Sequence, residues 1–256
     1  MSRLVFITGG SSGIGQALAA HALAQGWRVV LVARRKEALL AWAQQQPAAQ
    51  RMAVYAADVR DPQAMAAVGR ECIAAHGLPD VVIANAGISV GIDSADFEDL
   101  QVLRETLETN VLGMAASFHP FLALMRERRA GTLVGIGSVA AIRGLPGHGA
   151  YCASKAAVLA YCESLRGECR PFGVRVLTLS PGYVDTPLTR GNPYPMPFLM
   201  TPEAFAHSAW RAIEHGDSYR VIPWPMAVVA RLLRLLPNAV FDRIFSGRPR
   251  KPRRSR

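Results

Sequence analysis

Cysteine is scarce in this chain: Cys72, Cys152, Cys162 and Cys169 are the only four among 256 residues. Their spacing suits no metal-ligand set and three fall in helical patterns, so reduced thiols in a cytoplasmic protein are expected. No cleavable leader is expected, because the apolar run at residues 4–8 leads at once into a glycine-rich turn. Long hydrophobic runs are missing too. The longest toward the C-terminus, residues 221–236, is interrupted by Pro223, Pro225, Arg231 and Arg234, which makes it a poor membrane span. Acidic residues are few, 19 against 29 Lys and Arg, for a net charge of +10. Six of those cations lie in the tail 248–256, RPRKPRRSR; taking them from +10 leaves +4 for the rest. A proline-interrupted basic tail is expected to be disordered and solubilising. No zinc-finger spacing and no aromatic-basic motif accompanies it, so nucleic acid is excluded as a partner.

Strand-like and helical patterns alternate along the rest of the chain. Apolar runs at 4–8, 28–33, 52–57, 81–84, 132–137, 174–180 and 219–222 predict strands. Helical patterns at 14–25, 36–46, 62–76, 97–128 (bent near Gly113) and 150–170 lie between them. That alternation predicts an α/β fold, a doubly wound parallel sheet of about seven strands with helices on both faces. Repeats, low-complexity blocks and linkers are absent. One domain over residues 1–222 is therefore expected, with an apolar helical extension at 223–247 and then the tail.

Three clusters carry chemistry. Tyr151-x-x-x-Lys155 puts a phenol and an ammonium one helical turn apart, and Ser138 stands thirteen residues upstream at a strand end. A hydroxyl, a phenol and an amine together can polarise a carbonyl and hand it a proton. The first strand runs into Thr8-Gly9-Gly10-Ser11-Ser12-Gly13-Ile14-Gly15 and then a helix, the arrangement in which backbone N–H groups receive a pyrophosphate. Where NAD-binding folds place an acid at the end of the second strand, this chain reads Ala33-Arg34-Arg35-Lys36. Cations without a carboxylate favour a 2′-phosphate, hence NADP(H), with Arg34 on the phosphate and Arg35 stacking on adenine.

TGGSSGIG (8–15), ANAG (84–87), ETNVLG (108–113), Ser138, YCASK (151–155) and PGYVDT (181–186) occur in the order and spacing of a known family. On these motifs the chain resembles the short-chain dehydrogenases/reductases, in their ordinary-length, NADP-preferring branch, over residues 4 to about 222. The resemblance implies a Rossmann-like fold and an NADP(H)-dependent oxidoreductase interconverting a carbonyl and a secondary alcohol. It implies Tyr151 as acid/base and Lys155 holding the nicotinamide ribose and, together with the cofactor's charge, lowering the phenol's pKa. Ser138 would bond the carbonyl oxygen, and Asn110 would hold a water that links Lys155 to solvent. Cofactor contacts are implied for Gly9, Ser11, Ser12, Gly13, Ile14 and Gly15, for Asp58 and Val59 at the adenine, and for Asn85, Ala86 and Gly87. Pro181, Gly182, Val184 and Thr186 would close over the nicotinamide and phosphates. Family members commonly form homodimers or homotetramers. A non-catalytic nicotinamide-binding sensor or scaffold is the alternative, and such relatives are expected to lose Ser138, Tyr151 or Lys155.

Strand ends feed residues 88–92, 140–145 and 183–200, which are expected to hold the substrate. Few charges occur there and NPYPMPFLM (192–200) is apolar, so a lipophilic carbonyl or alcohol is expected under a lid of Met, Phe and Leu. The apolar patterns at 227–236 and 240–245 leave three readings open: closing the pocket, pairing with another subunit, or peripheral contact with a membrane.

Overall fold

A computed structural model of the protein describes residues 2–254. The first half winds outward from one strand: β1 (Leu4–Thr8), α1 (Gly13–Ala24), β2 (Arg28–Ala33), α2 (Lys36–Gln44) and β3 (Met52–Ala56). The chain then returns through α3 (Pro62–His76) to β4 (Val81–Ala84) on the other side of β1. From there α4 (Asp99–Leu107), α5 (Gly113–Arg128), β5 (Thr132–Ile136), α6 (Gly149–Cys169), β6 (Arg175–Pro181), α7 (Pro202–His215) and β7 (Tyr219–Ile222) complete the sheet. Its order is β3-β2-β1-β4-β5-β6-β7, and every pairing is parallel. The direction of winding reverses between β1 and β4, and in such sheets a ligand crevice opens beyond the strand ends at that point.

Alternation along each strand builds two cores. Val5 and Ile7 face Leu18, Leu23, Phe205 and Trp210, while Leu4 and Phe6 face Met65, Phe118, Phe121 and Met125. Both faces of the central strands are buried, as a sheet covered by helices on either side requires. The indole N–H of Trp210 donates to the Leu18 carbonyl oxygen at 3.0 Å, tying α7 to α1.

The long helical pattern at 97–128 is a pair of α-helices joined by a π-helical turn at Glu108–Leu112, so the bend expected near Gly113 has a definite cause. Helix α7 was not anticipated. Thr201 caps it through a bond from the Ala204 N–H, Pro202 opens it, and Gly216 at φ 84° ends it.

Beyond β7, α8 (Trp224–Leu235) and α9 (Asn238–Phe245) lie over the carboxyl ends of β5–β7. Arg143 pins both: its guanidinium donates to the carbonyl oxygens of Leu233 and Leu236 and to Asn238 Oδ1, and it stacks on Phe241 at 4.1 Å. A cation on the last carbonyls of a helix also meets the negative end of its dipole.

The tail departs from the expectation of disorder. Residues 248–254 have no regular structure, yet they lie against the domain: Arg253 pairs with Asp96 and Asp99, Arg254 with Glu105, and the Gly91 N–H donates to the Pro252 carbonyl oxygen at 3.0 Å. These contacts use carboxylates 149 to 157 residues away, which the composition of the tail does not reveal. The last two positions of the expected tail, 255 and 256, lie outside the described residues.

Candidate active site

A cleft of about 450 Å³ follows the crevice from the glycine turn to Tyr151. Gly9 sits at φ +71° with its backbone against Ala86; an added Cβ would lie 2.7 Å from the Ala86 Cα. Gly15 is buried beneath the turn, where a Cβ would meet the Gly9 carbonyl oxygen at 2.3 Å. It therefore shapes the cleft without lining it. Asn85 holds the same turn through bonds from Nδ2 to the Thr8 and Gly9 carbonyl oxygens, both 3.1 Å. Ser12 takes the N-cap position of α1 but does not bond the helix with its side chain, and no acid occupies the first turn. Free N–H groups and the positive end of the dipole thus face the cleft.

At the far end of the cleft, Arg34 and Arg35 are exposed and make no ion pair among the described residues. Asp58 lies across from them, paired with Arg60 at 2.7 Å; the hydrogen bond from Arg60 holds its carboxyl below the usual range. The cleft brings together Gly9, Ser11, Ser12, Gly13, Ile14, Arg34, Arg35, Asp58, Val59, Asn85, Ala86 and Gly87, and beyond them Pro181, Gly182, Val184 and Thr186.

Ser138, Tyr151 and Lys155 converge at its inner end. Ser138 follows β5 and accepts from the Ala140 N–H at 3.1 Å, while its own side chain bonds the Tyr151 phenol. Tyr151 and Lys155 come from the first two turns of α6, with Nζ 5.8 Å from the phenol ring centre. Lys155 is buried and donates to the Ile136 carbonyl oxygen at 2.7 Å. Burial lowers its pKa to about 8. Burial pushes Tyr151 up to about 12, and the opposing hydrogen bond from Ser138 is the smaller effect. Asn110, in the π-helical turn, has its side chain committed: Oδ1 accepts from the Ile88 N–H at 2.8 Å, and Nδ2 donates to the Ile88 carbonyl oxygen and Ser154 Oγ. Its amide thus fixes the wall of the cleft.

A second cavity of about 270 Å³ opens on the other side of Ser138 and Tyr151. Its walls are Val139, Ala140, Ile142, Leu145, Met226, Val229 and Leu233, with Tyr183 and Tyr194 beside them. From 192–200, Asn192, Tyr194, Pro195 and Pro197 line it, whereas Phe198 and Leu199 point outward at 51% and 47% exposure. The expected lid of Met, Phe and Leu is therefore corrected to one of Tyr and Pro. Its neck is closed by the pairing of Val184 with Met200.

A family model described as short chain dehydrogenase matches residues 3–194. The chain belongs to the short-chain dehydrogenases. As a member it is an oxidoreductase acting on CH–OH or C=O groups. It is similar to an uncharacterized oxidoreductase of Myxococcus xanthus, 39% identical over 94% of this chain and 95% of that protein. Among solved structures, a short-chain dehydrogenase from Streptomyces avermitilis superposes with a TM-score of 0.77 at 27% identity, covering 90% of this chain and 92% of the other. A short chain dehydrogenase from Burkholderia cenocepacia, solved in complex with NADP, gives 0.82 at 24% identity, over 95% and 97%.

Several groups in this short-chain dehydrogenase's second cavity escaped the sequence. His148 bonds Tyr194 through Nε2 at 3.0 Å, joining the start of α6 to the 192–200 loop, and burial lowers its pKa. Arg248 and Lys251 enter the same cavity from the tail. Lone His and Tyr residues in a loop carry no spacing signal. Among the described residues no group of His, Cys, Asp and Glu could hold a metal, and no helix is long and apolar enough to cross a membrane.

Proposed function

We propose that the protein is an NADP(H)-dependent carbonyl reductase or alcohol dehydrogenase in which Tyr151 is the acid/base. The observation that carries this is the meeting of the two cavities: Ser138 and Tyr151 line both, at the point where a reacting carbon must face a cofactor. The residues fit a dinucleotide with a 2′-phosphate. The acid-free N-terminus of α1 suits the pyrophosphate, and Arg34 and Arg35, unpaired, stand where the adenosine phosphate is to be held. When bound, NADP(H) supplies or takes up the hydride.

The protein's own groups handle orientation and the proton. Ser138 turns its O–H from the Tyr151 phenol to the substrate oxygen, and Tyr151 gives the same oxygen a proton during reduction. With its pKa near 12 the phenol carries that proton throughout the neutral range, so the free protein is ready to reduce. Alcohol oxidation needs the phenolate and therefore gains as pH rises. Lys155, charged below about 8 and with Nζ 5.8 Å from the phenol ring centre, is placed to favour that phenolate through its field. The walls of the second cavity exclude water from the reacting bond and accept an apolar body. Exposed Leu100, Leu112 and Leu124 on α4 and α5 and the turn between them suit pairing with a second copy.

NADPH oxidation across a carbonyl panel tests the reading. Tyr151→Phe is expected to lower turnover by about 10²- to 10⁴-fold while NADPH still binds. A wild-type protein that binds NADPH and reduces nothing, or a Phe variant as active as its parent, overturns it.

A further inference from the structure

The tail places charge where the substrate cavity has no other use for it. Among the described residues no Asp or Glu lines this cavity, but Arg143, Arg248 and Lys251 do. Arg143 is occupied with the ends of α8 and α9. Lys251 is half-buried and donates to two neutral acceptors, the Leu188 carbonyl oxygen at 2.8 Å and Asn192 Oδ1 at 3.0 Å. An ammonium has three N–H donors, so one remains. Arg248 donates only its Nε to the Ile244 carbonyl oxygen at 2.9 Å and lies over Phe245 at 4.8 Å, which leaves the outer fork of the guanidinium free.

Both charges are felt inside the cavity. Arg248 pulls the Tyr183 phenol downward against burial, and Lys251 adds to the lowering of His148. The other cations of the tail are used differently. Arg253 and Arg254 have carboxylate partners on the α4 side, and Arg250 packs on Gly147, where an added Cβ would lie 2.9 Å from the arginine's own Cβ. The tail is thus anchored by its outer charges, while its two inner ones reach the cavity without a counter-ion. Lys251 is half-buried and Arg248 exposed, and a partly desolvated cation such as Lys251 is unfavourable until an anion arrives.

We propose that Arg248 and Lys251 form an anion subsite, so that the substrate is an apolar carbonyl or alcohol carrying an anionic oxygen group at the end remote from the reacting carbon. This rests on the carbonyl chemistry proposed above and refines its apolar substrate into an amphipathic one. Carboxylate, sulfonate and phosphate share the required chemistry.

The test uses the full chain with saturating NADPH and a homologous series of methyl-ketone carboxylates, their methyl esters, and the matching sulfonates and phosphates. Wild type is expected to favour an anionic ketone over its ester by at least about tenfold in kcat/KM, the effect of one charge-assisted hydrogen bond. The best anion of the series identifies the group. Lys251→Met and Arg248→Gln are expected to raise KM for the anion about ten- to a hundred-fold and bring the anion-to-ester ratio toward one. Arg211→Gln, a surface cation on α7, keeps the ratio. Esters turned over as well as acids, or variants that affect both alike, overturn the subsite. A second readout is independent of turnover: octanoate against octanol in thermal unfolding. If no carbonyl oxidises NADPH, the proposed reaction fails, but stabilisation by octanoate that depends on Lys251 still supports the subsite. An equal response of wild type and Lys251→Met to octanoate removes it.

Discussion

Replacing Arg34 and Arg35 with alanine isolates the choice of cofactor from the chemistry. Both side chains are exposed at the end of β2 and have no ion pair to lose, so their removal leaves no buried charge behind. The nearest acid of the cleft, Asp58, is held by Arg60 at 2.7 Å and does not take over their place. A charge-assisted bond to a phosphate in so open a site lies between a buried one and a surface pair, about 1–2 kcal/mol per arginine. That corresponds to about 5- to 30-fold in Kd for NADPH from Arg34 alone. NADH has no 2′-phosphate, so its Kd is expected to move little. Fluorescence titration of both nucleotides, wild type against the single and double variants, gives the ratio directly. Salt supplies an internal control, since the Debye length shrinks to about 3 Å at 1 M. High salt should narrow the wild-type preference and leave the double variant nearly unchanged. Equal weakening of NADPH and NADH, or a wild type that binds NADH as tightly, would refute the assignment.

Two further substitutions probe the buried polar groups behind the site. Lys155 binds its proton to about pH 8 when folded and to its ordinary 10.5 when unfolded, so the unfolded chain holds the extra proton between those values and wild-type stability rises with pH across that window. Lys155→Met is therefore expected to be inactive yet more stable at pH 7, by up to about 3 kcal/mol, with the gain shrinking above pH 8 in urea unfolding; a gain independent of pH contradicts the assignment. Asn110→Ala leaves the Ile88 N–H and carbonyl and the Ser154 hydroxyl without their partner. The expected loss is about 2–3 kcal/mol, a fall in Tm of roughly 5–10 °C, and an unchanged Tm would show that the π-helical turn holds itself.

Much of the fold was legible because the sheet is buried on both faces. Runs such as LVFI at 4–7 and VVLVA at 29–33 are apolar throughout, and Gly and Pro punctuate the chain between such runs. Ser138, Tyr151 and Lys155 could be singled out because two lie on one helix and the third ends a strand. Helix α7 carried its signals, a Thr-Pro start and a Gly stop, in a stretch where the prolines of 192–200 drew attention to a loop. The phenol's pKa was not legible, since burial outweighs neighbouring charge and burial is a property of the folded chain. Nor was the tail: its anchors on α4 lie some 150 residues upstream, and its composition alone resembles a solvated segment.

The stretch matched by the family model ends at residue 194, but Met226, Val229, Leu233, Arg248 and Lys251, which enclose the second cavity, all come later. Ser138, Tyr151 and Lys155 thus lie upstream of one wall of that cavity, the wall that α8 and the tail supply. Residues 223–254 are held by Arg143, by the ion pairs on α4, by the bonds of Lys251 to Leu188 and Asn192, and by the buried Met226, Ala230 and Phe241. Grafting another member's ending after Ile222 would retune selectivity without rebuilding the reaction centre.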